Sequence, residues 1–294
     1  MSIKLSLADL NKIKYIQHQQ RVLKRKQAQA KKRPLKQFSR KYFYSGYKFS
    51  NFIRKLDNNE PFSYARYNDG EFICLFGDTP DSANVDKHQY FPKMRDEMLT
   101  ALTKPSNWED SRNGTYFFQL GMWIFEGPQA KKYFAWMQKF LNENPKLSMK
   151  FLPKDPFVRM FQNYEKLFKQ LLVSLNRKHL VMVGPEYIKE LKVLTGIKHH
   201  IVVPEKNCYL EQDRIQQEIQ EYVAQHGNET LVFLFSTSMM ANTLIDRLHS
   251  KYKRKHFLLD MGSVWDNFIP GRESRTYMTK FKKRWKNQYP EWIK

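Results

Sequence analysis

The 294-residue chain lacks the features that mark several well-known structural classes. No apolar run approaches the roughly 18 residues of a helix that crosses a membrane, and residues 1–5 lack the apolar stretch of a secretory signal. Only two cysteines occur, Cys74 and Cys208, and no Cys-x-x-Cys pair is present. This argues against a disulfide scaffold and against a cysteine-based zinc site. Together these absences predict a cytoplasmic protein with reduced thiols.

Acidic residues are scarce at both ends of the chain. Residues 1–50 contain 14 Lys and Arg but a single acid, Asp9, and residues 272–294 contain 8 Lys and Arg and two acids. The formal net charge is +22, of which residues 51–271 contribute only +3. An evenly basic nucleic-acid-binding fold would show a different distribution. The pattern predicts a compact, nearly neutral domain with basic segments attached to it.

The chain is expected to divide into three parts. Residues 1–45 form a basic amphipathic helical segment, residues 46–277 the main domain, and residues 278–294 a basic aromatic tail. The apolar stripe of the first helix consists of Leu7, Leu10, Ile13 and Ile16. Three interpretations of this helix are open. It docks on the domain or on a second subunit, it lies on an anionic membrane surface as a peripheral contact, or it contacts nucleic acid. For the tail, packing of its aromatic face on the domain is favoured.

Strand-like and helix-like segments alternate from about residue 60. The predicted strands are Phe62–Tyr67, Thr115–Leu120, Ser148–Leu152, His179–Val183, His199–Val203, Thr230–Phe235 and His256–Leu259. The predicted helices are Glu71–Phe76, Lys93–Thr103, Gln129–Asn142, Pro156–Leu175, a helix after Gly184-Pro185, Glu211–Gln225 and Met239–His249. This alternation predicts an α/β, Rossmann-like fold with a mostly parallel sheet and helices on both faces, preceded by the basic N-terminal helix.

Open parallel sheets bind ligands beyond the carboxyl ends of their strands. Five segments directly follow predicted strands and carry small or polar residues: Asn68–Glu71, Gly184–Pro185, Pro204–Tyr209, Ser236–Ser238 and Asp260–Asp266. We therefore expect the functional site among these five segments.

The densest group of reactive side chains lies around Asp69 and Glu71, which flank Gly70. At a strand end this spacing lets two carboxylates approach one hard cation, and glycine leaves the approach open. Mg²⁺ and Mn²⁺ prefer such oxygen ligands and keep waters or substrate phosphates in their other positions. Arg66 lies just upstream and suits a phosphate. On spacing alone, a turn or a helix cap at this Asp-Gly pair is the favoured interpretation.

The segment Arg66–Glu71 resembles the R-x-G-D-G-E signature of the GT-D glycosyltransferases, a family long catalogued as a domain of unknown function. Further segments resemble motifs of the same family in the same order: Val183–Pro185, Val203–Tyr209 with Asp213, Phe235–Ser238 and Leu259–Asp266. The similarity covers about residues 60–277. Asn68 departs from the signature, since it stands where the family usually has glycine.

The resemblance implies a metal-dependent glycosyltransferase that moves a sugar from a nucleotide-sugar, with a UDP-sugar favoured, to a glycan or glycoconjugate acceptor. It assigns Mn²⁺ or Mg²⁺ to Asp69 and Glu71, and it implies that Asp260 or Asp266 is a catalytic base or orients the sugar. Lys206 would add positive charge near the diphosphate. The implied donor-binding residues are Arg66, Gly70, Gly184, Pro204, Asn207, Tyr209, Ser236, Ser238, Gly262 and Ser263.

Two other classes of function stay open at this point. A nucleic-acid-binding protein or metal-dependent nuclease would place its basic termini on phosphates, although the nearly neutral domain argues against it. A non-catalytic scaffold would use the termini for assembly. Trp265 lies inside the last motif, where it is either a core residue or a platform that stacks on a sugar or base.

Overall fold

The computed structural model describes residues 37, 38, 40–77, 88–126, 129–272, 283, 285 and 287. The predicted basic helix lies outside these residues, as does most of the predicted tail. The chain divides into two compact units, one ending at Phe43 and the other beginning at Tyr44. In the first unit, the ring of Phe38 packs against the rings of Tyr42 and Phe43. The predicted three-part division stays a prediction.

The second unit is built on a seven-stranded sheet in which every neighbouring pair is parallel. The strands are β1 Ser63–Tyr67, β2 Tyr116–Leu120, β3 Phe151–Leu152, β4 Leu180–Gly184, β5 Ile197–Val202, β6 Val232–Phe235 and β7 Phe257–Asp260. Their order is β3-β2-β1-β7-β6-β4-β5. The first three strands form one half of the sheet and the last four the other, so β1 and β7 meet where the halves join.

Helices and short 3₁₀ turns connect the strands. The α-helices are α1 Ser50–Asp57, α2 Asp69–Phe76, α3 Pro92–Thr103, α4 Pro105–Arg112, α5 Ala130–Glu143, α6 Pro156–Asn163, α7 Glu165–Asn176, α8 Gln212–Gln225 and α9 Met240–Tyr252. The 3₁₀ turns are Met122–Phe125, Glu186–Glu190, Cys208–Glu211 and Gly262–Phe268. None of the described helices combines the length and the apolar character that crossing a membrane requires.

Both faces of the sheet are buried at its centre, which explains why β4 and β6 are apolar without interruption. In β6, Val232 and Leu234 join the large core cluster beneath α1, α6 and α7, whereas their neighbours Phe233 and Phe235 are equally buried but outside that cluster. Side chains alternate between the two faces of a strand, so the second set lies against the opposite layer. The α/β architecture with a parallel sheet is thereby confirmed.

The structure departs from the predicted elements at several points. The single helix predicted for Pro156–Leu175 is two helices, because Tyr164 between them has non-helical backbone angles, with φ −132° and ψ 64°. Both helices contribute to the same core cluster. The break therefore lets each helix bury its own apolar face in that cluster. Helices α1 and α4 were not predicted, and the helix expected after Gly184-Pro185 is a 3₁₀ turn. Helix α4 is polar, and it buries Asn107 and Ser111, so it carries no apolar stripe.

Two tryptophans of the predicted motif and tail lie in the core. Trp265 is completely buried, so the hypothesis that it stacks on a sugar or base is wrong. Trp285 is also completely buried, its Nε1 donates to the Phe161 carbonyl oxygen at 3.1 Å, and its ring stacks on that of Phe161. Trp285 therefore packs on the domain, as its aromatic character favours.

Candidate active site

The carboxyl ends of β1 and β7 are held together by Arg66. Its Nη2 donates to Asp260 Oδ1 at 2.9 Å, and its Nη1 donates to Asp155 Oδ2 at 3.2 Å. The three side chains are only 16%, 3% and 12% exposed, respectively. Ligand sites of open parallel sheets lie at such a junction between sheet halves. The network therefore forms the floor of the predicted site, and both terminal nitrogens of Arg66 already pair with carboxylates.

The backbone after β7 is shaped around this guanidinium. Gly262 has a φ of +50°, and a Cβ added there would lie 1.8 Å from Arg66 Nη2. The Gly262 N–H donates to Asp260 Oδ1 at 3.1 Å. Burial raises the pKa of Asp260 against the opposing effect of Arg66. Asp260 is thus a buried partner of Arg66, which suits a positioning role better than contact with an acceptor. Its assignment as a base stays a prediction.

Asp69 and Glu71 lie in the first turn of α2, directly after β1. The Asn68 N–H donates to Glu71 Oε2 at 2.9 Å, which is the glutamate arm of a capping box. Asn68 itself has an extended φ of −103°, so the departure from glycine at this position needs no left-handed backbone. Gly70 is the second residue of the same helix. A cap is therefore present at this turn, but Asn68 and Glu71 form it, and Asp69 is the first residue of the helix rather than its cap.

The two carboxylates fit a hard cation. Both side chains are half-buried, and burial raises the pKa of Glu71 to about 7, opposed by Arg66. A cation bound at Glu71 would favour the ionised carboxylate and so offset this effect of burial. Within the described part of the chain, no third His, Cys, Asp or Glu joins the pair in a metal-binding cluster. Mg²⁺ and Mn²⁺ accept two carboxylates as ligands and fill their remaining coordination positions with water and phosphate oxygens.

Ser236 connects three strands at the same edge. Its Oγ donates to the Gly262 carbonyl oxygen at 2.8 Å, and its N–H donates to the Val183 carbonyl oxygen at 2.8 Å. A Cβ added to Gly184 would lie 2.5 Å from Ile188 Cδ1 and 3.3 Å from Ser236 Cβ. Glycine at this position is thus accounted for by close packing, and the predicted donor contact of Gly184 stays untested.

A second group of predicted residues lies together on the far side of this edge. Asn207, Tyr209 and Ser238 line a small cavity of about 10 Å³ whose other lining includes His88 and Phe91. The Asn207 N–H donates to His88 Nδ1 at 3.0 Å, and the Tyr209 ring stacks on Phe91. These contacts attach the segment before α3 to the loop after β5. The role predicted for Asn207 and Tyr209 in donor binding is not tested by this geometry.

The remaining predicted residues lie on the rim. Asp266 is half-buried and accepts a hydrogen bond from the Tyr187 hydroxyl at 3.3 Å, and the Arg272 guanidinium lies 3.6 Å from the centre of the Tyr187 ring. Asp266 is therefore the more accessible of the two predicted bases. Pro204 and Ser263 are half-buried, and Lys206 is exposed.

Sequence reasoning missed two residues that build the site. Asp155 pairs with Arg66 and also caps α6, since its Oδ1 accepts from the Phe157 and Val158 N–H groups. An Asp-Pro pair between a strand and an apolar helix is the signal that identifies such a cap. Asn242 donates to the Arg66 carbonyl oxygen from α9; no local pattern marks it.

Comparison with known proteins gives a result at the level of fold. No family model and no curated protein sequence matches the chain. Among solved structures, the chain is similar to a protein from Streptococcus sanguinis described as a new glycosyltransferase (DUF1792), with 14% identity, a TM-score of 0.53 and coverage of 82% of this chain and 84% of the other.

A second similar structure is described as the domain of unknown function 1792 with a distinct glycosyltransferase fold. Identity is again 14%, the TM-score is 0.51, and the match covers 82% of this chain and 80% of the other. A selenomethionine-substituted structure of the same domain gives a TM-score of 0.53. At this identity the likeness establishes the fold, so the chain adopts the fold of domain of unknown function 1792, as its motifs predict.

Proposed function

We propose that the chain is a metal-dependent glycosyltransferase that moves a sugar from a nucleotide-sugar, with a UDP-sugar favoured, to a glycan or glycoconjugate acceptor. The observation that carries the proposal is the position of Asp69 and Glu71, in the first turn of α2 at the carboxyl edge of the sheet. The fold supports it, since the similar protein from Streptococcus sanguinis is described as a glycosyltransferase.

In this proposal Asp69 and Glu71 hold Mn²⁺ or Mg²⁺. The bound ion supplies a Lewis acid that neutralises charge on the leaving diphosphate. The N-terminal end of α2 adds backbone N–H groups and the positive end of the helix dipole, both of which favour an anionic group. The capping bond from Asn68 to Glu71 Oε2 orients this carboxylate, and in this proposal Oε1 ligates the ion.

The other residues hold this arrangement in place or act on the acceptor. Arg66 fixes the end of β1 relative to Asp260 and Asp155, so it positions the α2 turn. Asp266 is the base we propose for the acceptor hydroxyl, because it is half-buried rather than enclosed and is oriented by Tyr187. The basic ends of the chain hold the enzyme near an anionic membrane surface or an acidic acceptor.

The test is turnover of a panel of UDP-, GDP- and dTDP-sugars by the purified protein with Mn²⁺ or Mg²⁺, measured as released nucleotide. Glu71→Gln keeps an acceptor for the Asn68 N–H, because Gln also completes a capping box, so it removes the charge without removing the cap. We expect Asp69→Asn and Glu71→Gln to lower turnover about 100-fold or more, as loss of a transition-state charge partner does.

The matched control is Asp57→Asn, an exposed carboxylate at the end of α1, which should leave turnover unchanged. Absence of metal-dependent nucleotide release with every donor would contradict the proposal. Metal-dependent turnover that is equal in Asp69→Asn and the wild type would contradict the role of Asp69 as a metal ligand.

A further inference from the structure

Two imidazoles and a carboxylate meet at the amino edge of the sheet, the edge opposite to the proposed donor site. His179 directly precedes β4, His226 caps the end of α8, and Glu229 lies in the turn before β6. One ligand atom from each of the three lies within 4.8 Å of the others. We propose that His179, His226 and Glu229 bind a transition-metal ion, with Zn²⁺ the best match.

The hydrogen bond of His226 directs one ring nitrogen outward to a metal. Its Nδ1 lies 2.7 Å from the Tyr222 carbonyl oxygen. A carbonyl oxygen only accepts, so Nδ1 carries the hydrogen and Nε2 keeps the lone pair that ligates. An imidazole that donates its other N–H to a backbone carbonyl is the usual arrangement of a metal-binding histidine, because the bond fixes both tautomer and orientation.

His179 is already spaced from Glu229 as two ligands of one ion. Its Nδ1 lies 3.0 Å from Glu229 Oε1, and its Nε2 lies 2.8 Å from the Tyr222 hydroxyl oxygen. A tetrahedral ion with bonds of about 2.0–2.1 Å holds its ligand atoms about 3.3 Å apart. The ion replaces the proton on Nδ1, which moves to Nε2, and Nε2 then donates to the Tyr222 hydroxyl.

The third ligand sits on a segment that can adjust. Glu229 is 47% exposed, and its N–H donates to the His226 carbonyl oxygen at 3.1 Å across a turn in which Gly227 has a φ of +55°. The three ligand atoms lie within 4.8 Å of one another, so a shift of at most about 1.5 Å in the turn that carries His226 and Glu229 brings them to the spacing of a tetrahedral ion. Such a movement requires only an exposed side chain and its turn to change.

The donor set selects the kind of ion. Two imidazoles and one carboxylate suit Zn²⁺, with a water in the fourth position, whereas the oxygen-only pair of the proposed donor site suits Mg²⁺ or Mn²⁺. The carboxyl end of α8 adds the negative end of a helix dipole, which favours a cation. A bound ion would join the end of α8 to the starts of β4 and β6.

The test is Zn²⁺ binding to the full chain, measured by competition with a chromophoric chelator and by Co²⁺ substitution. We expect His226→Gln and Glu229→Gln to weaken one Zn²⁺ site more than about 100-fold, and Tyr222→Phe to weaken it about 10-fold, since loss of an outer partner costs less than loss of a ligand. Co²⁺ should give the intense visible absorption of four-coordination in the wild type, and this absorption should be lost in His226→Gln and Glu229→Gln.

Matched controls are His199→Gln and Glu218→Gln, which carry the same side-chain types nearby but lie outside the three-residue group. Both should keep the site, as should Asp69→Asn, which separates this ion from that of the donor site. Circular dichroism checks that each variant folds, and Glu229→Gln changes only an exposed side chain. Zn²⁺ affinity equal in wild type and Glu229→Gln, or lost equally in His199→Gln, would overturn the proposal.

Discussion

Replacing Arg66 with Met removes the only cation that pairs with Asp155 and Asp260 in the described part of the chain. Met keeps much of the apolar stem, so packing changes little while two largely buried carboxylates lose their partner. Removing one member of a buried ion pair typically costs 3–5 kcal/mol, because an uncompensated charge stays buried. We expect Arg66→Met to lower the free energy of unfolding by about 3–5 kcal/mol at neutral pH.

Arg54 provides a matched control. Its Nη1 lies 2.9 Å from Glu60 Oε1, the same distance as between Arg66 and Asp260, but the two side chains are 54% and 40% exposed. Exposed pairs contribute at most about 1 kcal/mol, since water screens them. Arg54→Met should therefore cost less than about 1 kcal/mol. The two pairs share an Arg–carboxylate distance of 2.9 Å and differ most in burial, so the comparison tests the effect of burial.

The cost of Arg66→Met should also depend on pH. Without the guanidinium, the folded-state pKa of Asp260 rises further above its unfolded value, so the folded variant gains protons, and relative stability, as the pH falls. Urea unfolding at pH 7.5 and 5.5 should show a smaller deficit at the lower pH. Arg66→Met combined with Asp260→Asn should recover about 1 kcal/mol or more, because one orphaned charge is removed. A cost no larger than that of Arg54→Met would refute the reasoning.

Three further predictions follow from other parts of the structure. Gly262→Ala should lower the free energy of unfolding by about 3 kcal/mol in urea, because its Cβ meets Arg66, whereas Gly271→Ala, at a similar positive φ but with nothing within 4 Å, should lose only the 1–2 kcal/mol of backbone strain. Burial lowers the pKa of His256 to about 4, and its Nδ1 accepts from the Leu231 N–H. Because the folded-state pKa of His256 is below its unfolded value, neutral His256 contributes its full stabilisation above about pH 6.5. The free energy of unfolding should fall by about 2.5 kcal/mol as the pH approaches 4.5. Urea titrations of His256→Gln should show a smaller fall. The basic ends should give salt-sensitive flotation with phosphatidylserine vesicles; tighter binding to DNA than to vesicles would favour the nucleic-acid alternative.

Much of the fold could be predicted because its signals are local. Short, largely apolar segments such as β4 and β6 are each followed by a polar turn, so the alternation of elements and the parallel sheet follow from the sequence. Elements without an apolar stripe could not be predicted from the sequence. Helix α4 is polar, and the break at Tyr164 divides a segment whose apolar pattern continues through it. Trp265 could not be placed, because a tryptophan in a motif suits a core and a binding surface equally.

The candidate site likewise contains residues whose proximity the local sequence predicts and residues whose proximity depends on the fold. The sequence by itself placed Asp69 and Glu71 together at the end of a strand, because residues two positions apart at a strand-to-helix turn share one small region. Only the tertiary structure decided the partners of Arg66, since Asp155 and Asp260 are 89 and 194 positions away in the chain. Strand order brings these residues together, and strand order depends on how the whole sheet packs. For the same reason, the sequence did not predict that His179 lies close to His226 and Glu229. The three residues belong to separate elements that meet only in the folded sheet.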